Sequence, residues 1–240
     1  MPSKSSAMTS FVESFIASML GRDRLFVVKK YLLVAGSMLI LALLIALFYF
    51  YQLQTTWIES KPYQRVNTAP ARTLVVAYSR TGNTYGAANA AAYYLDADLL
   101  QVKAPQYGLT IEGQGLAGEH ADAQLTTTPI QHEPVDLSRY DLIVLCAPIW
   151  WFRPAVPLWS FVEKHDLSGK PVFLIMTGNS RYKEELTQPF VALVEKQNGH
   201  FLDMLFVRRG RFFWQKTPDE VNQEVIEFLE TNVTRIEFRR

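Results

Sequence analysis

The chain has 240 residues, 49% of them apolar and 20% charged, with 24 basic against 23 acidic side chains and a formal net charge of +1. That length allows one domain of ordinary size with an appendage, or two small ones, and the apolar share is ample for one buried core. The near-neutral balance, without a basic stripe interleaved with aromatics, speaks against nucleic acid as a partner; the single Cys146 precludes an intramolecular disulfide, and His120, His132, His165 and His200 lack metal-ligand spacing.

Residues 1–30 form an N-terminal segment that is either amphipathic or disordered. Phe11, Val12, Phe15, Ile16, Met19 and Leu20 share one helical stripe, and Ser10 with Glu13 reads as a capping box opening a short helix on a membrane surface. Between Lys30 and Glu59 there is no charged residue, and the stretch 31–52 is almost wholly apolar. A helix needs roughly 20 such residues to cross a bilayer core, and a buried core helix is rarely apolar on every face for so long, so the sequence predicts a single transmembrane helix.

Tyr49, Tyr51 and Trp57 fall where an aromatic belt lies. The length of the apolar part and the missing small-residue cleavage site make an uncleaved anchor a better reading than a signal peptide. Ala42 and Ala46, four apart, leave a homodimer through this helix open. Arg22, Arg24, Lys29 and Lys30 precede the span closely, whereas Lys61 and Arg65 follow it at a distance, so charge flanking favours a cytoplasmic amino terminus. The expected location is the bacterial inner membrane, with the side of the following domain left open.

Residues 53–72, polar and holding Pro62 and Pro70, read as a linker. From 73 to 230 apolar runs alternate with helical segments. Strands are predicted at 73–79, 97–102, 141–148, 171–177 and 201–207, and helices at 83–95, 155–165, 184–198 and 218–230, the last opened by Thr217, Pro218 and Glu220. Near-continuous apolar strands separated by helices argue for an α/β fold with a doubly wound parallel sheet covered on both faces. The connection 103–140 is long and weakly periodic; such a stretch is functional, partly disordered or hides a short helix. Residues 231–240 read as a tail.

The loop after the first strand, Ser79-Arg80-Thr81-Gly82-Asn83-Thr84, carries the most chemistry. Standing between a buried strand and a helix, it places backbone N–H groups and three hydroxyls at the positive end of a helix dipole, where a phosphate binds. Gly82 permits a tight turn or a close approach, and Asn83 suits an adjacent cap. The Gly-Lys-Ser/Thr ending of a Walker loop and the three spaced glycines of a dinucleotide fingerprint are absent.

These residues, with Asp141-Leu142-Ile143 leading into Pro148-Ile149-Trp150-Trp151 and with Asp166-Leu167-Ser168-Gly169-Lys170 before the fourth strand, resemble the flavodoxins with a "YSRTGNT" first loop over residues 73–230. The resemblance implies a five-stranded sheet of order 2-1-3-4-5, with FMN at the switch point between the first and third strands. It implies that residues 79–84 grip the FMN phosphate, and that Pro148, Ile149, Trp150, Trp151, Phe152 and Arg153 lie along the flavin ring. Thr177, Gly178 and Asn179 stand at the family's third loop, without its usual run of glycines.

Phe152-Arg153 stands where the family commonly has glycine, whose freedom in φ lets a backbone carbonyl turn toward the flavin N5. Arg153 is expected either beside the flavin N1 or exposed on a loop. Three functions fit: a membrane-anchored FMN protein in electron transfer, exchanging electrons with a redox partner protein or a quinone-type small molecule; an NAD(P)H-dependent FMN oxidoreductase acting on a quinone or similar acceptor; and a flavodoxin-like binding module that has lost its flavin.

Overall fold

The computed structural model describes residues 4–56, 58–211 and 214–237, and divides into two units, Met1–Leu53 and Gln54–Arg240. The first unit is helical. A single helix α1 runs Lys4–Thr55, so the separate amphipathic helix expected ahead of the apolar stretch is not separate. Ser10, expected to cap a helix start, sits inside α1, and Phe11, Val12 and Phe15 are exposed. Within the apolar part, Phe26–Leu53, the most apolar 18 residues have a mean hydropathy of 2.6, and none of them is buried. Trp57, expected in an aromatic belt, lies outside the described residues, as do residues 238–240 of the expected tail.

In the second unit, β1 (Thr73–Tyr78), β2 (Asp98–Val102), β3 (Leu142–Trp150), β5 (Pro171–Gly178) and β6 (His200–Arg208) pair in parallel in the order β2-β1-β3-β5-β6. The sheet has six strands where the sequence predicts five, because the two-residue β4 (Arg153–Pro154) folds back antiparallel on β3. A second short hairpin pairs β7 (Gly210–Arg211) with β8 (Trp214–Gln215).

Side-chain alternation along β1 splits the core in two. Leu74, Val76 and Tyr78 face one layer, with Leu158, Trp159 and Phe161 of α4 (Val156–Glu163) and Phe190, Leu193 and Val194 of α5 (Glu184–Lys196). Val75 and Ala77 face the other, with the alanines of α2 (Asn83–Tyr94) and Val221, Val225 and Leu229 of α6 (Pro218–Glu237). All six residues of β1 are buried, which explains why the strand reads as an unbroken apolar run. Cys146, at the β3 centre, is fully buried, and burial pushes its thiol up, so it packs as a small core residue.

Residues 103–140 contain a real helix, α3 (Ile111–Asp122), capped by Thr110, whose hydroxyl accepts the Gly113 N–H at 3.0 Å. The predicted tail is also helical, since α6 continues to Glu237. The predicted linker is bound along the domain. Tyr63 donates to the Ala97 carbonyl at 2.8 Å, and the Arg65 guanidinium grips Asp96, whose carboxyl it holds below the usual range.

Candidate functional site

The loops after β1, β3 and β5 meet at the carboxyl ends of neighbouring strands, as the parallel pairings β1–β3 and β3–β5 require. Gly82, the N-cap of α2, has φ +85°, a conformation that glycine adopts without a Cβ clash. The Ser79 hydroxyl oxygen accepts the Thr84 N–H at 3.1 Å, and the Thr81 hydroxyl oxygen accepts from the Asn83 amide at 3.0 Å. Both hydroxyls act here as acceptors, so each keeps its own O–H to donate.

Thr84 is fully buried, its hydroxyl 2.8 Å from that of Thr177, itself 3% exposed. These hydroxyls join the first loop to the third, where the sequence alone suggests that Thr84 faces the ligand. Among the described residues, the N–H groups of Thr81, Gly82 and Asn83 have no partner. The buried Asn83 Oδ1 also lacks a donor. An unpaired buried acceptor is costly, and here it stands beside a row of unengaged N–H donors at the start of α2, a cradle of donors with one acceptor beside it. A phosphate with a hydroxylated chain attached fits that donor set.

Arg80 turns the other way. Its guanidinium donates to the Gly108 carbonyl at 3.2 Å, and burial lowers its pKa. A groove of about 600 Å³ opens beside it, lined by Tyr63, Lys103 and Tyr107 among others, on the β2 side of the loop and away from β3.

The two tryptophans occupy unlike places. Trp150 is half-buried, meeting the rings of Tyr78 and Tyr107 edge-on at 5.5 and 5.0 Å. Trp151 is 54% exposed. Between β3 and β4 the chain turns through Trp151 and Phe152 with φ of +46° and +70°, both in the left-handed region. Two-residue hairpins with this backbone ordinarily use Asn-Gly or similar pairs. Two aromatic residues held there cost on the order of 1–3 kcal/mol each, a strain that typically marks functional positions.

Phe152 is further fixed by its carbonyl, which accepts the Lys183 N–H at 2.9 Å, and by Lys183 Nζ and the Arg181 guanidinium at 5.2 and 5.5 Å from its ring centroid. Arg181 and Lys183 were invisible to motif reading, because their relation to Phe152 arises only when β3 and β5 pair. Arg153 departs from both expectations: it is 3% exposed, its guanidinium lies 4.0 Å over the Trp159 ring and donates to the Leu125 carbonyl, and burial lowers its pKa to about 10. Its side chain points inward because β4 alternates opposite to the exposed turn that precedes it.

In the remaining loops, Pro148 is paired in register with Thr177, and its carbonyl accepts the Ala155 N–H at 3.0 Å. Ile149 and Gly178 pack together: a Cβ on Gly178 would lie 3.2 Å from that of Ile149 and 3.0 Å from the Phe206 ring. Asn179 is exposed at the rim.

One more contributor carries no signal in the sequence. Ile58, in the predicted linker, donates its N–H to the Thr81 carbonyl at 2.8 Å, and a Cβ added at Gly82 would stand 2.0 Å from the Ile58 carbonyl oxygen. Nothing in its composition distinguishes this residue from those around it.

Solved structures similar to this chain include the following three. A candidate flavoprotein from Bacteroides eggerthii is 18% identical, with a TM-score of 0.51 over 68% of this chain and 98% of its own. Another from Bacteroides uniformis is 20% identical, with a TM-score of 0.50 over 64% and 96%. A flavoprotein from Lactobacillus acidophilus, solved in complex with FMN, is 19% identical, with a TM-score of 0.48 over 57% and 93%. No curated protein matches the chain. The family model described as Flavodoxin matches residues 72–209, more than half of the sequence, and the chain therefore belongs to the flavodoxin family.

Proposed function

We propose that this protein is a membrane-anchored flavoprotein that carries electrons on bound FMN. The observation that carries the reading is the cradle at the start of α2, where the N–H groups of Thr81, Gly82 and Asn83 and the buried Asn83 Oδ1 lack partners among the described residues. The cofactor is FMN: family membership supports it, and the polar atoms fit a phosphate attached to a polyol.

In this reading the three N–H groups and the free O–H groups of Ser79 and Thr81 hold the phosphate, while Asn83 Oδ1 accepts from the chain that follows it. The exposed Trp151 indole covers one flavin face, and the Phe152 turn and Thr177–Asn179 close the edge. When bound, FMN supplies the acceptance and release of electrons; the protein's part is to orient it, limit water around it and leave one edge open to a partner. No acid, base or nucleophile is required of the chain.

The apolar helix Phe26–Leu53, charged only at Lys29 and Lys30 near its start and with none of its span buried, supports anchoring in a membrane, long enough to cross one bilayer. Tethering raises the encounter rate with a membrane-bound electron partner, a redox protein or a quinone-type molecule, without the strong acidity of a diffusing carrier. The test is to purify the full chain in detergent and denature it. Release of about one FMN per chain is expected, with affinity at least tenfold weaker in Asn83→Ala. A colourless protein indifferent to added FMN overturns the proposal. A reporter fused after Arg240 decides which side of the membrane the domain faces.

A further inference from the structure

The segment Ile58–Tyr63 follows the last residue of α1, Thr55, by three positions and reads in sequence as spacer. In the folded second unit it is a strap seated on the phosphate loop. Ile58 donates to the Thr81 carbonyl at 2.8 Å. Two residues on, the Asn89 amide of α2 donates to the Ser60 hydroxyl at 3.1 Å and to the Lys61 carbonyl at 2.7 Å, and Tyr63 then reaches the Ala97 carbonyl at 2.8 Å. The seating is close, since no side chain larger than hydrogen fits at Gly82 beneath the Ile58 carbonyl.

Two features decide whether such a strap helps or blocks a ligand in the loop. First, the strap uses the Thr81 carbonyl, a group that a phosphate cannot use, and leaves the N–H groups of Thr81, Gly82 and Asn83 unengaged. A plug would occupy those donors. Second, the Thr81 carbonyl and the Gly82 N–H belong to one peptide plane, which is trans and therefore points the two groups in opposite directions. Pinning the carbonyl toward Ile58 turns the Gly82 N–H away from the strap, to the side where the ligand's negative charge is stabilised by the start of α2.

We infer that the strap is a positioning element of the cofactor site: Ile58, held in place through Asn89, orients the Thr81–Gly82 peptide for the phosphate, so that strap seating and FMN binding strengthen each other. The inference rests on the FMN reading above. Because such coupling is reciprocal, the factor by which the seated strap tightens FMN equals the factor by which FMN stabilises the strap.

The test uses the full chain in detergent micelles and two independent readouts, FMN affinity by quenching of flavin fluorescence and amide hydrogen exchange over residues 58–63. FMN is expected to slow exchange across the strap. Asn89→Ala, which removes two strap anchors without touching the loop's donors, is expected to speed strap exchange and weaken FMN by a matching factor, on the order of tenfold. Ile58→Pro, which lacks the donating N–H, is expected to do the same.

Wild type that binds FMN with unchanged strap exchange, together with variants of wild-type affinity, overturns the inference and leaves the FMN reading standing. Variants that bind FMN more tightly overturn it also, by making the strap a plug. Wild type that takes up no FMN removes the cofactor reading and this inference with it.

Discussion

Thr84 in α2 and Thr177 near the end of β5, 93 residues apart in the chain, share one buried hydrogen bond between hydroxyl oxygens 2.8 Å apart. This bond is the polar link between the loop that offers phosphate donors and the strand end that lines the opposite side of the site. Thr177→Val keeps the shape and strands the Thr84 hydroxyl in the core, which costs about 1–3 kcal/mol; Thr84→Val does the reverse at similar cost. The double variant replaces both partners by methyl groups and is expected to lose clearly less than the sum. Denaturant unfolding of the three variants measures this, and a strictly additive double variant would show that the hydroxyls do not act as a pair.

Trp150 and Trp151, adjacent in sequence, are expected to separate stability from binding. Trp150 meets Tyr78 and Tyr107 edge-on inside the fold, and Trp150→Ala should destabilise the domain by about 3–5 kcal/mol at most, less in proportion to its partial exposure. Trp151 is 54% exposed and meets solvent. Trp151→Ala should leave the unfolding midpoint nearly unchanged, weaken FMN by roughly tenfold and raise the fluorescence of bound flavin, because stacking on an aromatic face contributes about 1 kcal/mol beyond area. Equal effects of the two substitutions on stability and affinity would contradict this division.

At Phe152 the backbone already has the φ of +70° that glycine would adopt, and its carbonyl is tied to the Lys183 N–H at 2.9 Å. The substitution therefore does not block the left-handed conformation; it makes leaving or re-entering it costly. A carbonyl so held cannot swing freely toward a protonated flavin nitrogen. Phe152→Gly is expected to let the one-electron-reduced flavin accumulate more than in wild type, read by visible absorbance during stepwise reduction. Identical accumulation in both proteins would show that this peptide does not set the flavin's potentials.

What the sequence concealed follows from how each element is held. β1, β3 and β5 were legible because burial on both faces forces unbroken apolar runs, and the first loop because its small polar residues have few other uses between a strand and a helix. α3 was hidden by Gly113, Gly115 and Gly118, each unfavourable in a helix by up to about 1 kcal/mol. Gly118 has a packing reason, since a Cβ there would lie 3.2 Å from Trp151 Nε1. The β3–β4 hairpin was hidden because Trp-Phe is not a turn pair, and the strap because its bonds are made by backbone groups, which carry no residue signature.

His165 gives the domain a pH dependence in a range where few other side chains titrate. Its Nδ1 lies 2.7 Å from the Phe161 carbonyl, its ring stacks on that of Phe161 at 4.2 Å, and the His132 ring lies 5.2 Å away. Burial chiefly, with His132 and Lys164 adding repulsion, lowers its pKa below the ordinary histidine value, and the bond to Phe161 opposes this in part. A histidine whose folded pKa is depressed binds its proton more readily in the unfolded chain. Its contribution to stability is therefore complete above about pH 6.5 and is lost as pH falls through the lowered value. The unfolding midpoint is expected to decline from pH 7 toward pH 5, and His165→Asn to flatten that decline. His132→Asn should bring the His165 titration, followed by the ring protons in NMR, part of the way back toward the ordinary value. A pH slope unchanged in His165→Asn would assign the dependence to other groups.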